Sequence, residues 1–307
     1  MKEQVFRFGP ANDLVGVLTL PETGQPPRPA VILFNAGLTH RVGPSRLYVK
    51  LARRLAAQGH AVLRLDLSGV GDSNPRVDHL PFEMSVVADS REAMQTLSER
   101  TGATSFVLMG HCSGAIGAFL ASANEPRAVG AVLINLEGGN AEWTEYDRDR
   151  KYSRFYQQYY RDVAADGQRW QRFFTGQVAY RKVFSNLING IVLNRVRTWW
   201  FARRTDARRT TSAAIPPELL EARAKLEGVV ERGMRLLLVH SEGSTGLEYV
   251  RHIFGEALQR YLDARRVDLH IIPASDHLFT LQRGQVELID TICAWCSTPQ
   301  PKSEAQA

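Results

Sequence analysis

The sequence predicts an α/β chain with a mostly parallel sheet and helices on both faces. Three observations carry this. Short, β-rich apolar runs recur along the chain, too continuous for strands with one wet face and too short for core helices. Segments with helical spacing of apolar residues separate them. Glycines close several of these elements, at Gly37, Gly59, Gly69 and Gly102. Alternating strands and helices of this kind pack as a parallel sheet between helical layers.

Taken in order, residues 4–8 and 14–20 read as two short strands joined by a turn. "PAVILFNAG" (29–37) is a buried strand, and "SRLYVKLARRLAAQG" (45–59) is a helix ending in glycine. "HAVLRLDLSG" (60–69) is the next strand, "DSREAMQTLSERTG" (89–102) a helix, and "SFVLMG" (105–110) another strand. "AIGAFLASAN" reads as a helix and "AVGAVLINL" (128–136) as a strand. The strand pattern resumes with "MRLLLVH" (234–240), an amphipathic helix follows over 247–264, then a last strand "VDLHIIP" (267–273) and a helix over roughly 280–296.

Between 141 and 225 the alternation stops. This block holds 17 Lys and Arg against 9 Asp and Glu, and 15 of the chain's 27 Phe, Trp and Tyr. The net charge of the 307 residues is +6, so the block carries more than the whole excess. It reads as a helical, aromatic and basic insertion over the strand ends, a lid. The expected organisation is a core of 1–140 and 226–297, the lid of 141–225 and a loose polar tail of 298–307.

Hydrophobic residues make up 44% of the chain, yet no run approaches ~20 apolar residues, so no transmembrane helix is expected. "MKEQVFRFGPANDL" lacks the apolar core of a signal peptide, and three cysteines are too few for a disulfide framework. A cytoplasmic protein is the expectation. Cys293 and Cys296 form a C-x-x-C inside an apolar helical stretch and read as buried packing residues. The histidines and cysteines show no zinc-ligand spacing, so no metal is expected. The basic aromatic block raises nucleic acid, but no binding module accompanies it.

The stretch "LMGHCSGAI" (108–116) carries the chemistry. It reads as a sharp strand-to-helix turn that exposes a nucleophile. In such a turn the residues two before and two after the nucleophile must be small, because the chain doubles back. Around Cys112 these are Gly110 and Gly114; around Ser113 they would be His111 and Ala115, and His111 would clash. Sterics therefore select Cys112. "IIPASDHLFT" places His277 just after the last strand, where a base belongs. In "NAGLTHRVG", Gly37 permits close backbone approach, and the Leu38 N–H joins the Ser113 N–H as a candidate oxyanion hole. Gly37 and His111 are the candidate substrate contacts. "RLDLSGVGDS" is a tight glycine turn with a structural task.

These segments, "LFNAGLTHRVGPSR", "LRLDLSGVGDS", "GHCSGA" and "SDHLFT", resemble the α/β-hydrolase superfamily, in particular its serine-aminopeptidase-like and exosortase-associated branches. The resemblance covers roughly 29–140 and 230–295 and implies the α/β-hydrolase fold; the lid block has no counterpart in it. Two departures stand out. Cysteine replaces the family's serine, as in its dienelactone-hydrolase-like minority. The family pattern places an aspartate near position 244, where this chain has Ser244. Glu242, Glu248 and Glu137 are the carboxylates that could serve instead, and Glu242 is favoured; Glu248 also fits a capping box with Thr245.

The resemblance with these departures implies a hydrolase, thioesterase or acyltransferase acting on esters or thioesters through an acyl-cysteine, with Cys112, His277 and Glu242 as its site. It implies no cofactor. The small-molecule acyl substrate could ride on coenzyme A or an acyl carrier protein, which the basic block would attract. The opposing expectation is a non-catalytic ligand-binding or receptor protein on the same fold, suggested by the missing aspartate.

Overall fold

The computed structural model describes residues 1–22, 28–137, 217–242, 244, 246–255 and 257–298. Eight strands form one sheet: β1 (Lys2–Phe8), β2 (Leu14–Leu20), β3 (Ala30–Phe34), β4 (Val62–Asp66), β5 (Phe106–His111), β6 (Ala128–Ile134), β7 (Arg235–Ser241) and β8 (Val267–Ile272). Their order is β1-β2-β4-β3-β5-β6-β7-β8. The hairpin β1–β2 and the β2–β4 pair are antiparallel, and every pairing from β4 to β8 is parallel. The mostly parallel sheet read from the sequence is the one observed.

The described helices are α1 (Leu47–Ala57), α2 (Phe82–Thr101), α3 (Ser113–Asn124), α4 (Pro217–Glu231), α5 (Gly246–Phe254), α6 (Ala257–Asp263) and α7 (Gln282–Ser297), with a short 3-10 turn at Pro44–Arg46. Strands β3, β5 and β7 are buried along their whole length. That explains their unbroken apolar sequences, since both faces are covered. On one face α1 and α7 pack Tyr48, Leu51, Leu55, Leu288, Ile292 and Trp295 onto Val31, Leu33, Val107 and Met109. Helices α2 and α3 pack together, with α3 lying on β3, β5 and β6. Cys293 and Cys296 belong to the buried cluster and are not bridged. Burial pushes the Cys293 thiol up to about 11 and raises that of Cys296 as well.

Strand order positions the site. From β3 the chain moves outward to β4 on one side, then returns to place β5 on the other. The strand order therefore reverses direction between β3 and β5, and the carboxyl ends of the strands at such a switch point are the usual ligand position in an open α/β sheet. The register brings Phe34, Gly110 and Leu133 side by side. The next residues along β3, β5 and β6 thus emerge at one edge.

Two elements differ from expectation. Helix α2 begins at Phe82 rather than 89, because its first turn exposes Phe82 and Met84 and so shows no buried stripe for periodicity to detect. The helix expected over 247–264 is two helices, interrupted at Gly255, whose φ is 50°. The chain divides into two compact units, Met1–Gly139 with Glu218–Ala307, and Asn140–Pro217. Helix α4 falls in the first unit, so residues 218–225 group with the core rather than with the basic block. The expected lid over 141–216 and the tail beyond 298 lie outside the described residues. Among the described residues no helix is long and apolar enough to cross a membrane.

Candidate active site

Cys112 follows β5 directly and caps α3 with φ 56° and ψ −118°. A side chain held there is strained by about 1–3 kcal/mol, a conformation that persists only where the surroundings enforce it. The Cys112 N–H donates to the Ile134 carbonyl at 2.9 Å, and its own carbonyl accepts from Ala115 and Ile116 as α3 begins. A Cβ at Gly110 would overlap the Gly114 backbone, and one at Gly114 would overlap the Asn35 carbonyl. The two glycines that sterics demanded around Cys112 are thus both needed.

The strand ends bring two partners to this turn. Glu137 lies just beyond β6, and His277 lies in the loop after β8. The Cys112 Sγ, a His277 ring nitrogen and a Glu137 carboxylate oxygen all lie within 4.8 Å of one another. Glu137 Oε1 is 3.4 Å from His277 Nδ1, and the histidine side chain is about a third exposed, at 36%. Catalytic hydrogen bonds are often this long without substrate and tighten in the reacting complex. A thiol, an imidazole and a carboxylate are also donors that a soft divalent cation accepts. Sequence order pointed to Cys112 and His277 but left Glu137 as one of three carboxylates, because the three members come from separate strand ends.

Glu242, the acid favoured from the sequence, engages a different partner. Its Oε2 accepts the Ala274 N–H at 2.6 Å, and its own N–H donates to the Ile272 carbonyl at 2.9 Å. The carboxylate braces the start of the β8–α7 loop, while the carboxylate at the His277 ring is Glu137's. Ser244 Oγ accepts the Gly246 N–H at the start of α5. Glu248 sits in the first turn of that helix, and Thr245 lies outside the described residues.

The segments that carry the oxyanion candidates are tied together through a neighbouring residue. Thr39 N–H donates to the Ala36 carbonyl, closing a turn with Gly37 and Leu38 at its tip. The Gly37 N–H donates to Ser113 Oγ at 2.8 Å, which ties this turn to the elbow. The Ser113 N–H opens α3, where no earlier helical carbonyl exists to accept it. The turn is held from behind by Asp66, which is fully buried at the end of β4. Asp66 accepts from Asn35 Nδ2, the Arg41 main chain and guanidinium, and the Asp72 N–H. Asn35 Oδ1 in turn accepts the Leu67 N–H at 2.7 Å.

His111 was expected to contact substrate, but its ring is fully buried. Its Nε2 lies 2.6 Å from the His277 carbonyl oxygen, and the two imidazoles pack with centroids 4.9 Å apart. Burial, with the neighbouring His277, pushes His111 down to about 4. His240 is likewise buried and pushed down to about 4 by the same causes in the same order. Asn135 and Tyr48 were missed by sequence reasoning. Asn135 Nδ2 donates to the His277 carbonyl, and Tyr48 Oη accepts the His111 N–H. A lone polar residue in the apolar run "AVLINL" was an available signal for Asn135; Tyr48 looks like any buried helix residue.

Comparison with known proteins agrees with this architecture. Esterase EstD of Thermotoga maritima is 31% identical over 130 residues, a match spanning 40% of this chain and 30% of that protein's length. An α/β serine hydrolase homologue from Coxiella burnetii superposes with a TM-score of 0.52 at 10% identity, covering 95% of this chain and 96% of the other. A dienelactone hydrolase from Anabaena variabilis gives 0.53 at 14% identity, covering 96% and 97%. At such identities these structures speak for the fold alone. The sequence model of the Alpha/beta hydrolase family matches residues 31–291, and with the sheet order and the elbow at Cys112 it assigns this chain to that family.

Proposed function

We propose that this chain is a cysteine-nucleophile enzyme acting on esters or thioesters through an acyl-cysteine intermediate. Cys112 is the nucleophile, His277 the base and Glu137 the acid that orients it. The observation that carries this reading is the strained Cys112 at a glycine-flanked elbow, with a His277 ring nitrogen and a Glu137 oxygen gathered within 4.8 Å. A metal site would use the same three side chains but would have no need of the elbow's strain. The carboxylate at Glu137, beside His277 Nδ1, supports the enzymatic reading despite the missing aspartate near 244.

In the reaction His277 takes the Cys112 proton and the thiolate attacks the acyl carbonyl carbon. The carbonyl π electrons move onto oxygen, which the Ser113 N–H and the Leu38 N–H stabilise. The tetrahedral species collapses, the bond to the alcohol or thiol breaks, and His277 returns the proton to the leaving group. Water, an amine or a thiol then gives its proton to His277 and attacks the Cys112 thioester; the acyl C–S bond breaks, the acyl group leaves on that acceptor, and the proton returns to Cys112. A thiolate leaves more readily than an amine, so amide substrates revert and activated acyl groups are favoured. The esterase among the relatives fits this substrate class. The 17 basic residues against 9 acidic between 141 and 225 support an anionic carrier for the acyl group, such as coenzyme A or an acyl carrier protein.

The test is intact mass after incubation with aryl esters and acyl-coenzyme A thioesters, with the adduct mapped. An acyl mass on Cys112 is expected, absent in Cys112→Ala and slowed by several orders of magnitude in His277→Ala. KM for the coenzyme A substrate should rise with salt, and that for a neutral ester should not. An adduct on Ser113, or turnover in Cys112→Ala, would overturn the assignment.

A further inference from the structure

We infer that His111 and Asn135 together position the base, by holding the main-chain carbonyl of His277 between two buried donors. This rests on the reading of His277 as base. His111 Nε2 is 2.6 Å and Asn135 Nδ2 2.8 Å from that one oxygen. A carbonyl oxygen only accepts, so His111 carries its hydrogen on Nε2 and its tautomer is fixed. Two donors occupy both lone pairs, and the direction of the carbonyl is thereby set.

Each donor is itself held. The His111 N–H donates to Tyr48 Oη at 3.0 Å, and the tyrosine is fully buried in α1. Asn135 Oδ1 accepts from the Ser241 N–H at 2.8 Å, and its own N–H donates to the Val239 carbonyl at 2.8 Å. Asn135 takes φ 47° to make these bonds, and it is fully buried. The donors stand beside the residues they serve. His111 precedes Cys112, and Asn135 lies two residues before Glu137. One carbonyl thus registers the loop of the base against both strand ends that supply the nucleophile and the acid. A base displaced by about 1 Å loses on the order of 10²-fold in rate, so this registration matters to turnover.

The test compares His111→Met, which keeps bulk and loses the donor, with His111→Gln, which offers a donor at similar reach. Asn135→Asp places an acceptor against the carbonyl while keeping Oδ1 for Ser241. The readouts are kcat, KM, and the pH profile of Cys112 alkylation by iodoacetamide. His111→Met and Asn135→Asp should each lower kcat by about 10²-fold with KM little changed. Both should shift the low-pH limb of alkylation upward, and His111→Gln should restore most of both. The double variant should lose little more than either single one, because the two donors share one acceptor. If His111→Met fails to fold, Asn135→Asp carries the same two outcomes. Folded variants with unchanged kcat and alkylation profile would overturn the inference. Turnover that survives in His277→Ala would instead remove the reading of the base on which it stands.

Discussion

Two carboxylates reach the loop that carries His277, and they grip different atoms of it. Glu137 meets the imidazole and Glu242 meets the Ala274 amide. In the proposed mechanism only the first is placed to orient the ring or to stabilise the positive charge it gains. Glu137→Gln should therefore lower kcat by about 10²-fold or more at unchanged fold. Glu242→Gln should leave kcat within a few-fold and act mainly on the loop's stability, since an amide oxygen still accepts from Ala274. Steady-state kinetics beside urea denaturation checks both, and a larger kinetic loss in Glu242→Gln would reverse their roles. Of the proposed site, Cys112 and His277 were legible in the sequence because glycine spacing and chain order point to them. The proposed acid, Glu137, was not singled out, because three glutamates follow strand ends and nothing in the sequence says which way each side chain turns.

The elbow between β5 and α3 is the element on which the site depends. Its two glycines face backbone, not flexible side chains, so nothing can give way to a methyl group. Gly110→Ala and Gly114→Ala should each destabilise the protein beyond the ordinary range, by about 4 kcal/mol or more, or prevent folding. Denaturant midpoints test this, and near-native stability in either variant would mean that the turn is looser than its geometry. At this scale the sequence was most informative for the buried strands, whose apolar runs are dictated by two covered faces. It was least informative where local chemistry is silent. The start of α2 exposes its apolar residues, and the break between α5 and α6 interrupts a periodicity that continues across it. The link from Gly37 to Ser113 Oγ joins two elements far apart in the chain, and only the strand order places them together.

Among the described residues three buried imidazoles, those of His60, His111 and His240, are all pushed below the ordinary histidine range, chiefly by burial, and bear on the response of the whole molecule to acid. His111 and His240 are both pushed from the ordinary 6.5 down to about 4, chiefly by burial. Below about pH 6.5 the unfolded chain takes up a proton on each, while the folded protein takes up neither until about pH 4. Stability is therefore complete above pH 6.5 and falls as the pH drops toward 4, by up to ~1.4 kcal/mol per pH unit for each histidine. Urea midpoints measured from pH 7.5 to 4.5 should show this decline, and His240→Leu should make its slope shallower. A midpoint flat across that window would mean that the rings gain protons or partners without unfolding.

The two donors on the His277 carbonyl bear on how such a site changes over time. A base located through its side chain alone would drift when its carboxylate was lost, and the lineage would lose activity at once. A base located through its main chain keeps its place while the carboxylate changes hands. The acid can then migrate from one strand end to another in small tolerated steps. With Glu137 as the proposed acid, serine at 244 is compatible with a base that its main chain holds in place.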